Sequence, residues 1–210
     1  GDPMYFVEEA GYKNGSKIRI VEMTDKLSDM PTFVDTDIAV ARYTAPPKAS
    51  QPGPRKYKLE TSDSSMLNAE WRDGRLVAAQ IVGLRRRKEA HARWYEFNTA
   101  TMTLTQQGTI DPGKGVHTYF PSIAIAANGD LGLSYMQSSK REFMSVYVTG
   151  QRAGSAAGVV ETPALVKAGE GTYTEFGRPP YRAGDYSSIV GDPTSGTSFW
   201  AANEYASAER

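Results

Sequence analysis

The sequence predicts an all-β fold, on three observations. No stretch of twelve or more residues sustains the i, i+3, i+4 apolar spacing of an amphipathic helix. Runs of four to eight residues rich in Val, Ile, Tyr, Phe and Trp recur instead, closed by turn pairs. The 210 residues include 20 Gly, 12 Pro, 12 Tyr, 7 Phe and 3 Trp, a composition of short strands and tight turns.

The elements follow in order. Met4–Val7 leads through Asn14-Gly15 into Lys17–Met23, and Asn-Gly between apolar runs predicts a hairpin because both residues tolerate positive φ. Ala45–Pro54 holds four prolines, so the 44–62 region is read as an extended linker that donates no regular ladder. Met66–Trp71, Asp73-Gly74 and Leu76–Val82 repeat the hairpin, and Arg93–Phe97 and Met102–Thr105 follow as further strands. The pattern returns as Pro121–Ile125, Asn128-Gly129 and Leu131–Met136, followed by Ser145–Val148, the flexible loop Ala153–Gly158 and Ala164–Lys167. Its last copy is Tyr186–Val190, a turn at Ser195-Gly196, and Thr197–Ala202.

The turn glycines Gly74, Gly129 and Gly196 lie 55 and 67 residues apart, which suggests one unit repeated. Four strands per unit at that spacing describe long blades of a β-propeller, and the chain holds about three to four of them. The expected architecture is therefore a partial propeller spanning 1–210, with a β-sandwich as the second choice. Gly1-Asp2-Pro3 run directly into an apparent strand. On that basis the chain is expected to be the C-terminal part of a larger protein, its missing blades lying upstream or on a second chain.

Charge narrows the partners. The chain carries 24 Lys+Arg against 24 Asp+Glu, whereas nucleic-acid binders need a surplus of cations, so no nucleic-acid partner is expected. No apolar run approaches the ~18–20 residues of a membrane span, so no membrane insertion is expected. With no Cys and only two His, spaced 26 residues apart, neither a disulfide nor a zinc site is expected.

The most distinctive residues are Tyr181-Arg182-Ala183-Gly184-Asp185-Tyr186-Ser187-Ser188, Asp192-Pro193, Gly196-Thr197, Phe199-Trp200 and Asn203-Glu204-Tyr205. With Tyr119-Phe120-Pro121-Ser122-Ile123 and Ala92-Arg93-Trp94-Tyr95, they resemble the sialidase-like (BNR-type) β-propeller proteins of bacteria. The resemblance covers roughly residues 60–210. It implies a secreted or cell-surface protein, and Asp192–Trp200 resembles a degenerate Asp-box hairpin in which the Asp precedes Pro193. The three carboxylate-binding arginines of sialidases have no matching set here.

In a propeller the first strand of each blade lines the central channel, which would put Asp185 and Tyr186 on its rim beside Glu204 and Tyr205. A carboxylate beside a phenol can activate it as a nucleophile, the role this pair plays in sialidases. The simpler reading is that Asp185 caps a turn or pairs with Arg182. His117 with Tyr119 is a second pair, able in principle to abstract a proton next to a uronate, as in polysaccharide lyases. For His117 and His91 alike, a surface or hydrogen-bonded ring is the plainer expectation. The ligand-binding candidates are Tyr181, Arg182, Asp185, Tyr186 and Tyr205.

Other features carry weaker signals. Tyr43, Tyr57, Tyr173 and Tyr181 sit in loop-like contexts and are expected to make exposed contacts. Trp71, Trp94 and Trp200 sit among alternating apolar residues and are expected in the core. Arg85-Arg86-Arg87-Lys88 reads as a solvated hairpin tip or a contact for an acidic glycan. Asp35 and Asp37 share one face of an extended segment, a pattern too sparse for a Ca²⁺ loop.

The function expected is a non-catalytic binding or scaffolding module that contacts glycan or protein at the propeller face, with no cofactor and no metal. The alternatives are a glycan-active enzyme (sialidase-like hydrolase or polysaccharide lyase) and a structural segment completing a propeller with another chain segment.

Overall fold

The computed structural model describes residues 3–11 and 14–208, and thirteen strands with no helix form among them. Strands β1 (Met4–Glu9), β2 (Asn14–Thr24) and β3 (Thr32–Thr44) make an antiparallel meander. Strands β4 (Met66–Arg72), β5 (Arg75–Gly83), β6 (Ala90–Asn98) and β7 (Thr103–Ile110) make a second one. The two are joined by a single backbone pair, Thr44 with Gly83. A third meander comprises β8 (Val116–Ile125), β9 (Leu131–Ser139), β10 (Glu142–Gln151) and β11 (Ala164–Lys167). Strands β12 (Ser188–Gly191) and β13 (Phe199–Ala202) close the order as a two-stranded sheet. The protein is all-β, and every pair of named strands is antiparallel. No helix among the described residues is long and apolar enough to cross a membrane.

Turn chemistry sets the tightest hairpin. Asp73 at φ 51° and Gly74 at φ 79° are both left-handed, the two-residue geometry whose twist matches the flanking strands. The Asn14-Gly15 pair behaves otherwise. Both residues lie inside β2, opposite Thr44 and Tyr43, and an added Cβ at Gly15 would come within 2.3 Å of the Tyr43 hydroxyl oxygen. That glycine serves close packing, and beyond the β1–β2 ladder the Ala10 N–H donates to the Lys17 carbonyl at 3.3 Å. Gly1 and Asp2, part of the start expected to run straight into a strand, lie outside the described residues.

Packing follows from the strand faces. Leu76, Val82, Tyr95 and Phe97 pack with Ile18, Ile20, Ile38 and Tyr43 of the first meander. Val77, Ala79, Ala92 and Trp94 face the other way, against Ile123, Leu133 and Tyr135. The β4–β7 sheet is thus covered on both sides, so β5 and β6 are almost continuously buried. Polar side chains tie it to β8: the Asn68 amide donates to the Ile123 carbonyl at 2.8 Å and accepts the Ile123 N–H at 3.1 Å.

The β12–β13 pair is covered on one face. Phe199 lies on Gly132, where an added Cβ would come within 2.8 Å of the ring. Trp200 is 68% exposed, so only Trp94 among the three tryptophans is fully enclosed. Tyr43, expected to be exposed, is completely buried in β3.

The proline-rich region is a folded layer rather than an open linker. Ala49 and Leu59 pair backbone to backbone at 3.0 Å in both directions, and Gln51 holds both the N–H and the carbonyl of Tyr173. Leu59 and Ala49 then join Ile81, Tyr119, Met136 and Tyr181 in a third core cluster.

Candidate functional site

Of the rim residues expected at the C-terminal segment, the charged groups are already engaged. Tyr181, expected to contact ligand, is 6% exposed and packs edge-on against Tyr57 at 5.6 Å. Its backbone bridges Lys58 and Glu60 at 2.8 and 2.7 Å. Arg182 and Asp185 form an ion pair with each other. The Glu204 carboxylate accepts the Gly184 N–H at 3.0 Å. Tyr205 lies under the Lys167 ammonium at 4.9 Å. Tyr186 is 87% exposed, and its hydroxyl donates to no carboxylate among the described residues. Burial raises the pKa of a different phenol, Tyr173, and the charges of Glu204, Glu175 and Asp185 push it further the same way. That arrangement holds a tyrosine neutral instead of activating it.

The His117–Tyr119 pair is enclosed. Tyr119 is fully buried, and its hydroxyl donates to the Ser138 hydroxyl at 2.8 Å, which donates in turn to the Ser50 carbonyl. Burial pushes the Tyr119 pKa up. His117 Nδ1 accepts the Ala90 N–H at 3.1 Å, which leaves the ring's proton on Nε2. Burial and then the Lys58 charge bring its pKa down to about 4, so the ring is neutral at pH 7 with its acceptor nitrogen occupied. His91 is also buried, with Nδ1 3.4 Å from the Ile110 carbonyl.

His117 also borders a cavity of about 850 Å³, where four connecting segments meet. The folded layer supplies Arg55 and Lys58, and the β5–β6 connection supplies Lys88 and Glu89. The β7–β8 connection supplies Lys114, the β9–β10 turn Lys140 and Arg141, and the start of β8 presents His117. None of these six Lys and Arg side chains forms an ion pair among the described residues. The one lining carboxylate, Glu89, is used structurally: it accepts N–H groups from Gly115 at 2.8 Å and from Lys88 at 2.9 Å. Burial alone would raise its pKa. Those donors and Arg87 outweigh burial and hold it below the usual carboxylate range.

Local hydrogen bonds hold the Lys58 ammonium and the backbone of the β9–β10 turn. The Lys58 ammonium donates to the Ser50 hydroxyl at 2.6 Å, and the Arg141 N–H donates to the Ser139 hydroxyl at 3.0 Å. Burial lowers the Lys58 pKa, and the charges of Lys140 and Arg55 lower it further, a sign that the positive groups converge. Two smaller cavities adjoin. One of about 330 Å³ shares Arg55, Lys58 and Lys140 and adds Tyr57; the other, of about 340 Å³, shares Lys88 and Lys114 and adds Arg86 and Arg87. Converging positive groups in a concave recess focus the field and concentrate anions there.

Of the cations on this face, sequence reasoning singled out only the Arg85–Lys88 run; it also named His117 and Tyr57, in other roles. The run is exposed, and Arg87 pairs with Asp111 at 2.5 Å. The other cations are single residues in distant loops, and only the topology assembles them. Asp35 and Asp37 lie on β3, where Asp37 pairs with Arg19 at 2.8 Å, and no cluster suited to a metal ion occurs among the described residues. Comparison of the chain with protein-family models, curated proteins and solved structures finds no match to any of them.

Proposed function

We propose that the chain is a non-catalytic binding module that takes a glycan or protein ligand at the loop face carrying the basic cavity. One observation carries this reading: six cationic side chains, none ion-paired among the described residues, surround a single recess while the chain as a whole has no net charge. The enclosed Tyr119 hydroxyl and the occupied His117 Nδ1 favour binding over proton transfer.

A partial propeller is the architecture we propose for it. Supporting that reading, the meanders follow one another in chain order, and β4, β8 and β12 are successive neighbours. Two of the meanders, β4–β7 within the seven-stranded sheet and β8–β11 as a sheet of its own, have the four strands of a blade. Asp192 supports the likeness to an Asp-box hairpin, because its carboxylate accepts the Thr194 N–H at 2.8 Å and braces the turn. In this reading the protein belongs to the sialidase-like class and acts outside the cell or on its surface. A second role, completing a ring with another chain segment, is favoured by the uncovered face of β12–β13, where Val190 and Trp200 are 51% and 68% exposed.

The test is a glycan array and a protein pull-down with the full chain, run beside turnover assays on fluorogenic sialosides and uronate polymers. Binding without turnover is the expected result. Turnover that disappears in Tyr186→Phe would replace this reading with the enzymatic one. For the second role, analytical ultracentrifugation should detect association that Trp200→Ser abolishes, and a monomer at all concentrations would remove self-assembly as the route.

A further inference from the structure

Opposite charges are equal in number along this chain, yet Arg55, Lys58, Lys88, Lys114, Lys140 and Arg141 gather at one cavity. Like charges held together without partners repel, a standing cost to the fold that a bound anion removes. The spread of the charges then limits the size of that anion. The central cavity shares Lys88 and Lys114 with the neighbour that adds Arg86 and Arg87, and Arg55, Lys58 and Lys140 with the neighbour that adds Tyr57. A single sulfate or phosphate engages one or two of these side chains and leaves the rest unpaired. Only a ligand with repeated negative charges meets the whole tract.

The shape and the remaining chemistry choose among polyanions. The cations line a recess between loops, which suits a thin, flexible chain better than the wide cylinder of a duplex. Single-stranded nucleic acid is held by successive exposed aromatic platforms, and this tract offers one half-buried ring, Tyr57. That ring and the serine hydroxyls between the cations suit a pyranose and its hydroxyl groups.

We infer that the ligand is an acidic oligosaccharide bearing carboxylate or sulfate on successive sugars, laid along the tract from Arg86, beside the Asp111-paired Arg87, across the central cavity to Tyr57. This inference rests on the binding-module reading and names the ligand class of the same face.

The experiment measures affinity of the full chain, at low and at moderate salt, for a heparin-derived decasaccharide, the matching disaccharide, a polyuronate of similar length, sodium sulfate, oligo-dT and polyglutamate. The decasaccharide or the polyuronate should bind at least about tenfold tighter than the disaccharide, and its affinity should fall steeply with salt. Whichever of the two binds tighter identifies sulfate or carboxylate as the source of the charge. Lys58→Gln with Lys140→Gln, and separately Lys88→Gln with Lys114→Gln, should each weaken binding about tenfold with no loss of melting temperature, since each removes mutual repulsion. Lys26→Gln with Arg178→Gln, away from the cavity, should leave it within about twofold. Three results would overturn the inference while leaving a binding module: tightest binding to oligo-dT or polyglutamate, sulfate competing as well as the decasaccharide, or neutral glycans bound equally by all variants. No binding to any array glycan or captured protein would remove the underlying reading as well.

Discussion

The β4–β7 sheet and the β12–β13 pair both open on a glycine-closed hairpin, yet they meet different surroundings. The first is covered on both faces, and Trp94 at its centre is 1% exposed. The second is covered on one, and Trp200 stands 68% exposed. The same turn grammar therefore produces a scaffold in one place and an open surface in the other. Chemistry divides along the same line. Polar groups near β12–β13 satisfy one another, Arg182 with Asp185 and Glu204 with Gly184. The connections of the doubly covered sheet and of β8–β11 hold cations that have no ion-pair partner among the described residues.

The two tryptophans give the widest contrast. Trp94→Ala should cost about 3–5 kcal/mol, because it opens a large void between two sheets; urea denaturation measures it. A loss below about 1 kcal/mol would mean that the second face is not packed as described.

Histidine supplies the next effect. The folded chain holds His117 near 4, below its ordinary 6.5, so folding favours the neutral ring. That contribution is fully present above about pH 6.5 and is lost as pH falls toward about 4, amounting to about 2 kcal/mol by about pH 5. His117→Gln should flatten most of this slope in stability measured across the same range. An unchanged slope would show that the buried His117 ring is not the group that couples protonation to folding.

Smaller effects belong to the C-terminal segment. Glu204→Gln should lower stability by about 1 kcal/mol by weakening the bond to Gly184, and leave binding at the basic face untouched. Trp200→Ala should stay within about 0.5 kcal/mol in the isolated chain, as exposed substitutions do. A larger loss would indicate that its face is covered in solution.

How much could be read from the sequence follows from how local each signal is. Asp73-Gly74 and Asn128-Gly129 marked their hairpins because turn chemistry is contained in adjacent residues. Strand β3 escaped notice because Asp35, Asp37 and Arg42 interrupt its apolar residues on the outward side. Asn14-Gly15 carried a turn signal that pairing against Tyr43 overrode. Tyr181 looked like a loop residue because its partners, Leu59 and Tyr57, lie more than a hundred positions away. The basic cavity was the least legible feature. Its six Lys and Arg side chains come from four segments between residues 55 and 141, and in sequence each is an ordinary surface charge.

Hydrogen-exchange mass spectrometry of the chain with and without a saturating acidic oligosaccharide tests the central claim most directly. Slowed exchange should appear in residues 50–58, 84–89, 111–117 and 139–141, with 181–186 and 204–205 unchanged. Protection confined to 181–186 and 204–205 would contradict the account and return the ligand to the rim of β12.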